Sequence, residues 1–551
     1  MNGLLMLLIS FVIFLAAYML YGRWLAKKWG VDPKAPTPAH TMKDGVDYVP
    51  ANKSVVFGHQ FASIAGAGPI NGPIIAAMFG WLPVLLWIIF GGIFFGAVQD
   101  FASMYASVKN KGKTIGYIIE LYIGKTGKRL FLIFTWLFSI LVVAAFADIV
   151  AVTFNGFAAD NTQIVANASV ATTSICFIIA ALLLGALLQK LKLTGYISAA
   201  VAIGFLVVCI AIGLNFPLFM AKGFWLYFVF AYIFVASVMP VWMLLQPRDY
   251  LNAFLLVFMI VAAFAGVIIA NPEMNLPAFT GFEVNNMPMF PILFVTVACG
   301  AVSGFHALVS SGTASKQVNN ERDMLPISFG GMLLECILAV LALVAVGALA
   351  VNGKVPAGSP PTIFAQAIAG FLTSAGLPEQ LIFTLITLAV SAFALTSLDS
   401  VARVGRLAFQ ELFTDADAAK GETSTITKVL GNRFVATFLT LFMAYLLAQR
   451  GYQNIWPLFG SANQLLAALA LIACAVFLKS TKREGRMMYP PMLIMLCVTF
   501  TALGLTIYTL ISKIGGDFAM ASDGLQLIFA VLLLGLGVLV AASGIKKLSS
   551  R

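Results

Sequence analysis

Charge is what this chain has least of. Asp, Glu, Lys and Arg make up 10% of its 551 residues, against about 25% in a soluble domain. Twenty-two carboxylates and 33 basic groups cannot coat a water-soluble body of this length. Soluble enzymes, nucleic-acid binders and secreted scaffolds are therefore excluded. Histidine is scarcer still, with three residues. The six cysteines (Cys176, Cys209, Cys299, Cys336, Cys474, Cys497) match no disulfide framework or zinc motif. All lie in apolar runs and read as small hydrophobes. There is no G-x-x-x-x-G-K-[ST] loop to hold nucleotide phosphates and no H-E-x-x-H motif. A nucleotide-driven pump is excluded, which leaves an ion gradient or passive flow.

What remains is apolar, 61% of the chain with 46 Phe. One bilayer crossing needs about 20 such residues. Runs of that length predict an all-α polytopic membrane protein of about 15 transmembrane helices, from Gly3–Tyr21 to Leu525–Gly544. The spacing places spans at Phe224–Gln246, Leu251–Ala270, Leu381–Ser397 and Val429–Ala448, among others. The long connections are Gly22–Gly58, Asn352–Gln380 and Leu398–Lys428, and none is long enough for a catalytic domain. The first span lacks a basic leader and is expected to stay as a helix instead of being cleaved.

Lys and Arg set the orientation. With the amino end outside and the carboxyl end in the cytoplasm, 29 of the 33 basic residues fall on inner segments, and Lys222, Lys354, Arg450 and Lys513 fall outside. The net charge of +11 is thus a topological signal, with attraction to anionic membrane lipid as its by-product. The outer segments carry six acids (Asp160, Glu273, Glu283, Glu379, Asp517, Asp523). That slightly acidic entrance leans toward a zwitterion over an anion.

Two spans break the helix pattern. His59–Phe79 holds three glycines and two prolines between Gly66 and Pro73, and Phe290–Ser311 runs into a stretch rich in Gly, Ser and Thr. Proline removes an amide donor and glycine disfavours the helix. An unpaired backbone group in hydrocarbon costs several kcal/mol, so such breaks persist only inside protein or beside a wet cavity. The two open from opposite sides, the pointer to inverted repeats with a midplane site. The resulting division is 1–56 (first helix and cytoplasmic loop), 57–216 (first five-helix repeat), 217–289 (two inserted helices), 290–480 (second repeat) and 481–551 (two peripheral helices). Substrate-binding candidates are Gly66, Gly68, Pro69 and Asn71 from the first break. Gly300, Ser303, Gly304, Ser310 and Ser311 come from the second. Packing of small residues against neighbouring helices is the competing reading.

Gly45-Val-Asp-Tyr-Val-Pro50, Val56-Phe-Gly-His-Gln-Phe-Ala-Ser-Ile-Ala-Gly-Ala-Gly-Pro69, Gly96-Ala-Val-Gln-Asp-Phe101, Gln246-Pro-Arg-Asp-Tyr-Leu251 and the run from Ser303-Gly-Phe-His306 to Gln317 resemble the carbon starvation protein A family. The likeness runs from about Ala16 to Ser400, in what looks like a short-form member. It implies a secondary transporter of the amino acid–polyamine–cation superfamily, with a LeuT-like 5+5 inverted-repeat core and extra helices. It also implies uptake of short peptides, or of pyruvate, under nutrient limitation across the bacterial inner membrane. Sodium-coupled members of that superfamily use a Thr-Ser pair on the eighth core helix. Thr396 and Ser397, with carbonyls near Ala65 and Gly66, resemble such a sodium site.

A charge at the bilayer midplane costs about 2.5–3.5 kcal/mol on insertion scales, so each is a functional candidate. His59, Asp100, His306, Asp148 and Glu335 are candidates for carrying a coupling proton. His59, Asp100, His306 and Asp399 fall at one inner level and could instead bind a metal, or simply seal helix ends. Asp399 and Arg403, spaced i,i+4, favour a local ion pair, with Arg403 and Arg406 at the cytoplasmic boundary. H⁺ leads Na⁺ as coupling ion, and no cofactor or nucleotide is called for. The alternatives to a symporter are a channel, against which the missing polar stripe argues, and an intramembrane metal-dependent hydrolase.

Overall fold

The computed structural model describes residues 2–44, 48–158, 160–191, 195–239, 243–418, 425–514 and 518–549. Gly45–Asp47 of the first quoted motif and Asp517 among the outer acids lie outside them. The chain is built almost wholly of helices, with one two-stranded hairpin at Glu283–Val284 and Met287–Pro288. Among the described residues eleven helices are long and apolar enough to cross a membrane, or twelve when one bent pair is counted as a span.

In chain order the helices used below are α1 (Gly3–Trp29), α2 (Lys53–Ile64), α3 (Gly68–Phe79), α4 (Trp81–Lys109), α5 (Lys125–Phe154), α6 (Val165–Leu187), α7 (Ile197–Asn215), α8 (Lys222–Val238) and α9 (Pro247–Ala270). They continue with α10 (Met289–Thr296), α11 (Gly304–Gly312), α12 (Glu321–Leu349), α13 (Pro360–Thr373), α14 (Glu379–Phe413), α15 (Arg433–Ala448), α16 (Tyr452–Ser480), α17 (Arg486–Ser512) and α18 (Ser522–Ser549).

Burial separates centre from periphery. The apolar stretch of α16 is wholly buried, and α5, α12 and α14 are nearly so. In contrast α1 and α7 leave most of their surface to lipid, with Leu5, Leu8, Val12 and Val207 exposed. Helices apolar on every side, such as α5 and α16, belong inside a bundle.

Three predicted spans take a different form. Phe224–Gln246 folds as the 17-residue α8, and Val429–Ala448 as the 16-residue α15. Phe290–Ser311 becomes two short helices, α10 and α11, of eight and nine residues. The expected loop Asn352–Gln380 contains a helix of its own, α13, capped by Ser359 with Pro360-Pro361 in its first turn. Its apolar face (Ile363, Phe364, Ala367, Ile368, Phe371) packs into the protein, but 14 residues fall short of a crossing. Finally α14 runs far beyond Ser397, because its polar extension carries Arg403 and Arg406 onto partners of their own.

Contacts between distant loops sort into the same two sets as the basic-residue count. On the side rich in Lys and Arg, Lys28 pairs with Glu484 at 2.8 Å and Lys109 with Glu321 at 2.5 Å, while Tyr48 Oη donates to the Lys111 carbonyl. The Lys28 ammonium holds the Glu484 carboxyl below its ordinary range. On the other side Arg450 pairs with Asp523 at 2.8 Å, and Asn275 donates to the Ala348 carbonyl.

Candidate transport site

The two breaks meet. Helices α2 and α3 are bent by 44° around residues 65–67. A small chamber of about 20 Å³ sits there, bounded by Ile64, Gly66 and Gly68 of the first break. Cys299 and Phe305 of the second break, Ser397 of α14, and Phe459 and Asn463 of α16 also border it. That volume holds about one water. A second cavity of about 750 Å³ lies on the Lys/Arg-rich side, lined by α2, α9, α11 and α14. Phe305 borders both spaces. Gly66 and Gly68 allow the close approach: a Cβ on Gly66 would fall 2.6 Å from Ser397 Oγ, and one on Gly68 2.5 Å from Cys299 Sγ.

The second break is sealed by side chains. The last carbonyls of α10 have no helical partner. Gln464 Nε2 donates to the Phe294 carbonyl (2.5 Å), Trp456 Nε1 to that of Thr296 (3.2 Å) and Trp87 Nε1 to that of Val297 (3.3 Å). Gln99 Nε2 donates to the Ser303 carbonyl at 2.7 Å. At the start of α11, Asn463 Oδ1 accepts from the Phe305 amide at 3.1 Å, and its Nδ2 donates to Ser303 Oγ at 3.1 Å. The first break is treated differently. Pro69 removes one orphan donor in the first turn of α3. Among the described residues no side chain donates to the carbonyls of Ser63, Ala65 or Gly66.

The predicted substrate residues therefore divide. Gly66 and Gly68 border the chamber. Asn71 is buried on α3, and neither atom of its amide has a partner. On the second break Gly300 and Gly304 are packing positions: a Cβ would lie 2.8 Å from Ala339 Cβ and 2.5 Å from the Ala467 amide nitrogen, respectively. Ser310 accepts from Gln60 at 2.7 Å, and Ser311 accepts from the Ile115 amide and donates to the Ala307 carbonyl. The second break reaches the chamber through Cys299 and Phe305 instead.

Behind α11, away from both cavities, three ionisable groups converge. His306 Nδ1 lies 3.0 Å from Asp100 Oδ2 of α4, and its Nε2 lies 3.2 Å from Glu335 Oε2 of α12. All three are buried. A neutral imidazole has one N–H and one bare lone pair. The Nε2 approach to Glu335 is a charge contact and not an aligned hydrogen bond, and neither Glu335 oxygen has a hydrogen-bond partner among the described residues.

Asp399 does not join them. Its Oδ2 is bound by Arg248 Nη1 of α9 and by Tyr232 Oη of α8, the latter at 2.9 Å. The expected Asp399–Arg403 pair is replaced. Arg403 donates to the Ala236 and Met239 carbonyls, and Arg406 to that of Ser237, so both cap the carboxyl end of α8. Cations suit that end of a helix dipole. Arg248 was hidden in the sequence because it stood in the short gap expected between two spans. The structure starts α9 earlier and buries it.

His59 lines the larger cavity, apart from Asp100 and His306. The four-residue metal set is thus not assembled. Among the described residues no three His, Cys, Asp or Glu side chains form a metal-binding group, and the two nitrogens of His306 face Asp100 and Glu335. Asp148 sits on the opposite side, paired with Lys222 at 2.7 Å and accepting from the Tyr452 amide at 2.8 Å. Of the four sodium-site candidates, Gly66 and Ser397 come together with Ala65 at the bend. The Thr396 hydroxyl donates to the Ala392 carbonyl and accepts from Asn252.

A helical bundle in which two interrupted helices enclose a chamber, with a larger cavity on one side of it, has the build of a membrane transporter. The sequence profile described as "Carbon starvation protein CstA" matches residues 2–361 and 352–502. The chain belongs to the carbon starvation protein CstA family, and it is a transporter, not an enzyme. It is 30% identical to the peptide transporter CstA of Bacillus subtilis (strain 168), over 99% of this chain and 97% of that one. It is 33% identical to the peptide transporter CstA of Escherichia coli (strain K12), over 88% and 78% of the two chains. With the pyruvate/proton symporter BtsT of the same E. coli strain it shares 32% identity, over 93% and 83%.

Proposed function

We propose that this protein is a secondary active symporter that imports short peptides across the bacterial inner membrane, coupled to protons. The amino end lies outside and the carboxyl end in the cytoplasm. About 15 helical segments then form a LeuT-like 5+5 core with peripheral helices. The observation that carries the reading is the pair of breaks meeting at a small chamber while a cavity of about 750 Å³ lies on the Lys/Arg-rich side. That geometry supports an inward-facing carrier. The cavity volume falls within the range of small-molecule sites, about 300–1,000 Å³. The free carbonyls of the first break favour it as the ligand-facing break. The Asp100–His306–Glu335 trio supplies a dry proton-holding group on α11, which also borders the cavity.

Import of pyruvate is the second reading, supported by the relative named as a pyruvate/proton symporter and by the small size of the chamber. Uptake of radiolabelled dipeptide and of pyruvate into proteoliposomes, with pH and sodium gradients imposed separately, tests both. Dipeptide accumulation driven by the pH gradient is expected. Uptake indifferent to collapse of both gradients overturns symport.

A further inference from the structure

The cytoplasm-side cavity has a wall of unfilled polar valences that no part of the transport reading uses. Among the described residues lining it, Asp249 on α9 is the sole carboxylate, and Lys316 and Arg403 are the permanent cations. Asp249 stands beside Arg248, but Arg248 is already committed to Asp399. The Arg248 Nη2 to Asp249 Oδ1 distance is 3.6 Å, too long for a hydrogen bond. Arg248 thus serves two carboxylates, Asp399 closely and Asp249 only as a looser ion pair, which leaves Asp249 partly compensated. Arg403 spends Nη2 on carbonyl oxygens, and its Nε has no partner. It makes no ion pair among the described residues. Asp249 Oδ1 and Asn252 Oδ1 likewise lack hydrogen bonds, on atoms tucked just behind the cavity surface. Thr396 and Ser400 complete the same wall.

A buried or half-buried carboxylate that shares its cation with a second carboxylate is poorly compensated. An anion, a cation and a free amide oxygen on one cavity wall recognise a ligand that carries both charges and an amide N–H. We propose that this α9–α14 wall is a second substrate subsite, on the cytoplasmic side of Phe305, for a zwitterionic peptide. Asp249 receives the terminal ammonium, Arg403 the terminal carboxylate through a guanidinium suited to planar anions, and Asn252 Oδ1 the peptide N–H. A monocarboxylate could engage Arg403 alone, so the wall selects peptide over pyruvate.

The inference rests on the peptide reading, and the experiment separates the two. Uptake of a dipeptide, with N-acetyl-dipeptide and peptide amide as competitors, is measured in proteoliposomes for wild type, Asp249→Asn, Asp249→Glu and Arg403→Gln. Wild type is expected to prefer the free dipeptide over the N-acetyl form at least tenfold. Asp249→Asn is expected to raise KM about tenfold and erase that preference, with Asp249→Glu restoring it. Arg403→Gln is expected to erase the preference against the amide while keeping the preference against the N-acetyl form. Wild type that takes up no dipeptide overturns the peptide reading and the subsite with it. Wild type that does so, with Asp249→Asn of equal thermal stability keeping its discrimination, overturns the subsite alone.

Discussion

His306 Nδ1 stands 3.0 Å from Asp100 Oδ2, across the interface between α11 and α4. The same ring reaches Glu335 of α12 through Nε2 at 3.2 Å. One imidazole thus joins three helices, one of which is the second half of a broken span. Its protonation governs whether both contacts attract. With a proton, the ring donates to Asp100 in a charge-assisted hydrogen bond and attracts Glu335 as an ion pair. Without it, a nitrogen lone pair faces a carboxylate. On the proposed reading a proton at this point biases the position of α11, which also presents Phe305, Leu308 and Val309 to the larger cavity.

Replacing Glu335 by Gln, or His306 by Gln, should uncouple without blocking. Substrate counterflow between equal internal and external pools is expected to continue within about threefold of wild type. Accumulation driven by a pH gradient is expected to fall at least tenfold. Loss of both activities in equal measure, in protein of normal thermal stability, would instead make the trio a purely structural tie.

The Arg248–Asp399 pair is fully buried, and removing one partner leaves a naked charge. Such a loss costs about 3–5 kcal/mol, whereas replacing both by apolar groups is often close to neutral. Arg248→Met and Asp399→Leu alone should each lower the detergent melting temperature sharply, and the double variant should recover most of the loss. Single variants as stable as wild type would contradict the pairing.

Much of this was legible from the residues. Gly66–Pro73 marked a break because proline and glycine disfavour a helix, and a break is present, bent by 44°, but it is confined to residues 65–67 and Pro69, Gly72 and Pro73 lie within α3. His306 and Asp100 were legible as intramembrane charges. Their partner Glu335 was visible too, but one sequence does not say which face of α12 meets which face of α11. The sealing groups went unseen for a different reason. Gln99, Asn463 and Gln464 are uncharged, and a search for membrane charge passes over them. Two adjacent amides in the middle of the apolar α16 were the signal that could have revealed them. The glycines and serines of the second break looked like ligand contacts, but small residues also mark close helix packing. Gly300 and Gly304 serve that purpose here.

Gly304 and Gly504 make a direct comparison of glycine roles. A Cβ on Gly304 would sit 2.5 Å from both the Ala467 amide nitrogen and the Asn463 carbonyl oxygen, backbone atoms that cannot swing aside. Nothing lies within 4 Å of the corresponding point on Gly504, within α17. Gly304→Ala should separate α11 from α16, break the Asn463 contacts and abolish uptake. Gly504→Ala should leave uptake unchanged and gain up to about 1 kcal/mol of helix propensity. Normal transport by Gly304→Ala would show that the two helices separate during the cycle.

Phe305 is the only residue that borders both the small chamber and the larger cavity among the described residues that line them. Cys299 lies on the chamber side and is partly accessible, while Cys336 and Cys474 are buried. This makes Cys299 a reporter for passage past the ring. Truncating Phe305 to Ala removes the aromatic barrier and joins two spaces now about 20 Å³ and 750 Å³ in size. A membrane-impermeant thiol reagent offered from the cytoplasmic side should then label Cys299 at least tenfold faster, in a background where Cys176 and Cys497 are replaced by Ser. Dipeptide present in excess should slow that labelling, because the substrate fills the same passage. Equal labelling rates with and without the Phe305 ring would mean that another group closes the chamber, and the inner barrier would then have to be sought along α2, whose His59, Ala62 and Ser63 line the cavity from the other side.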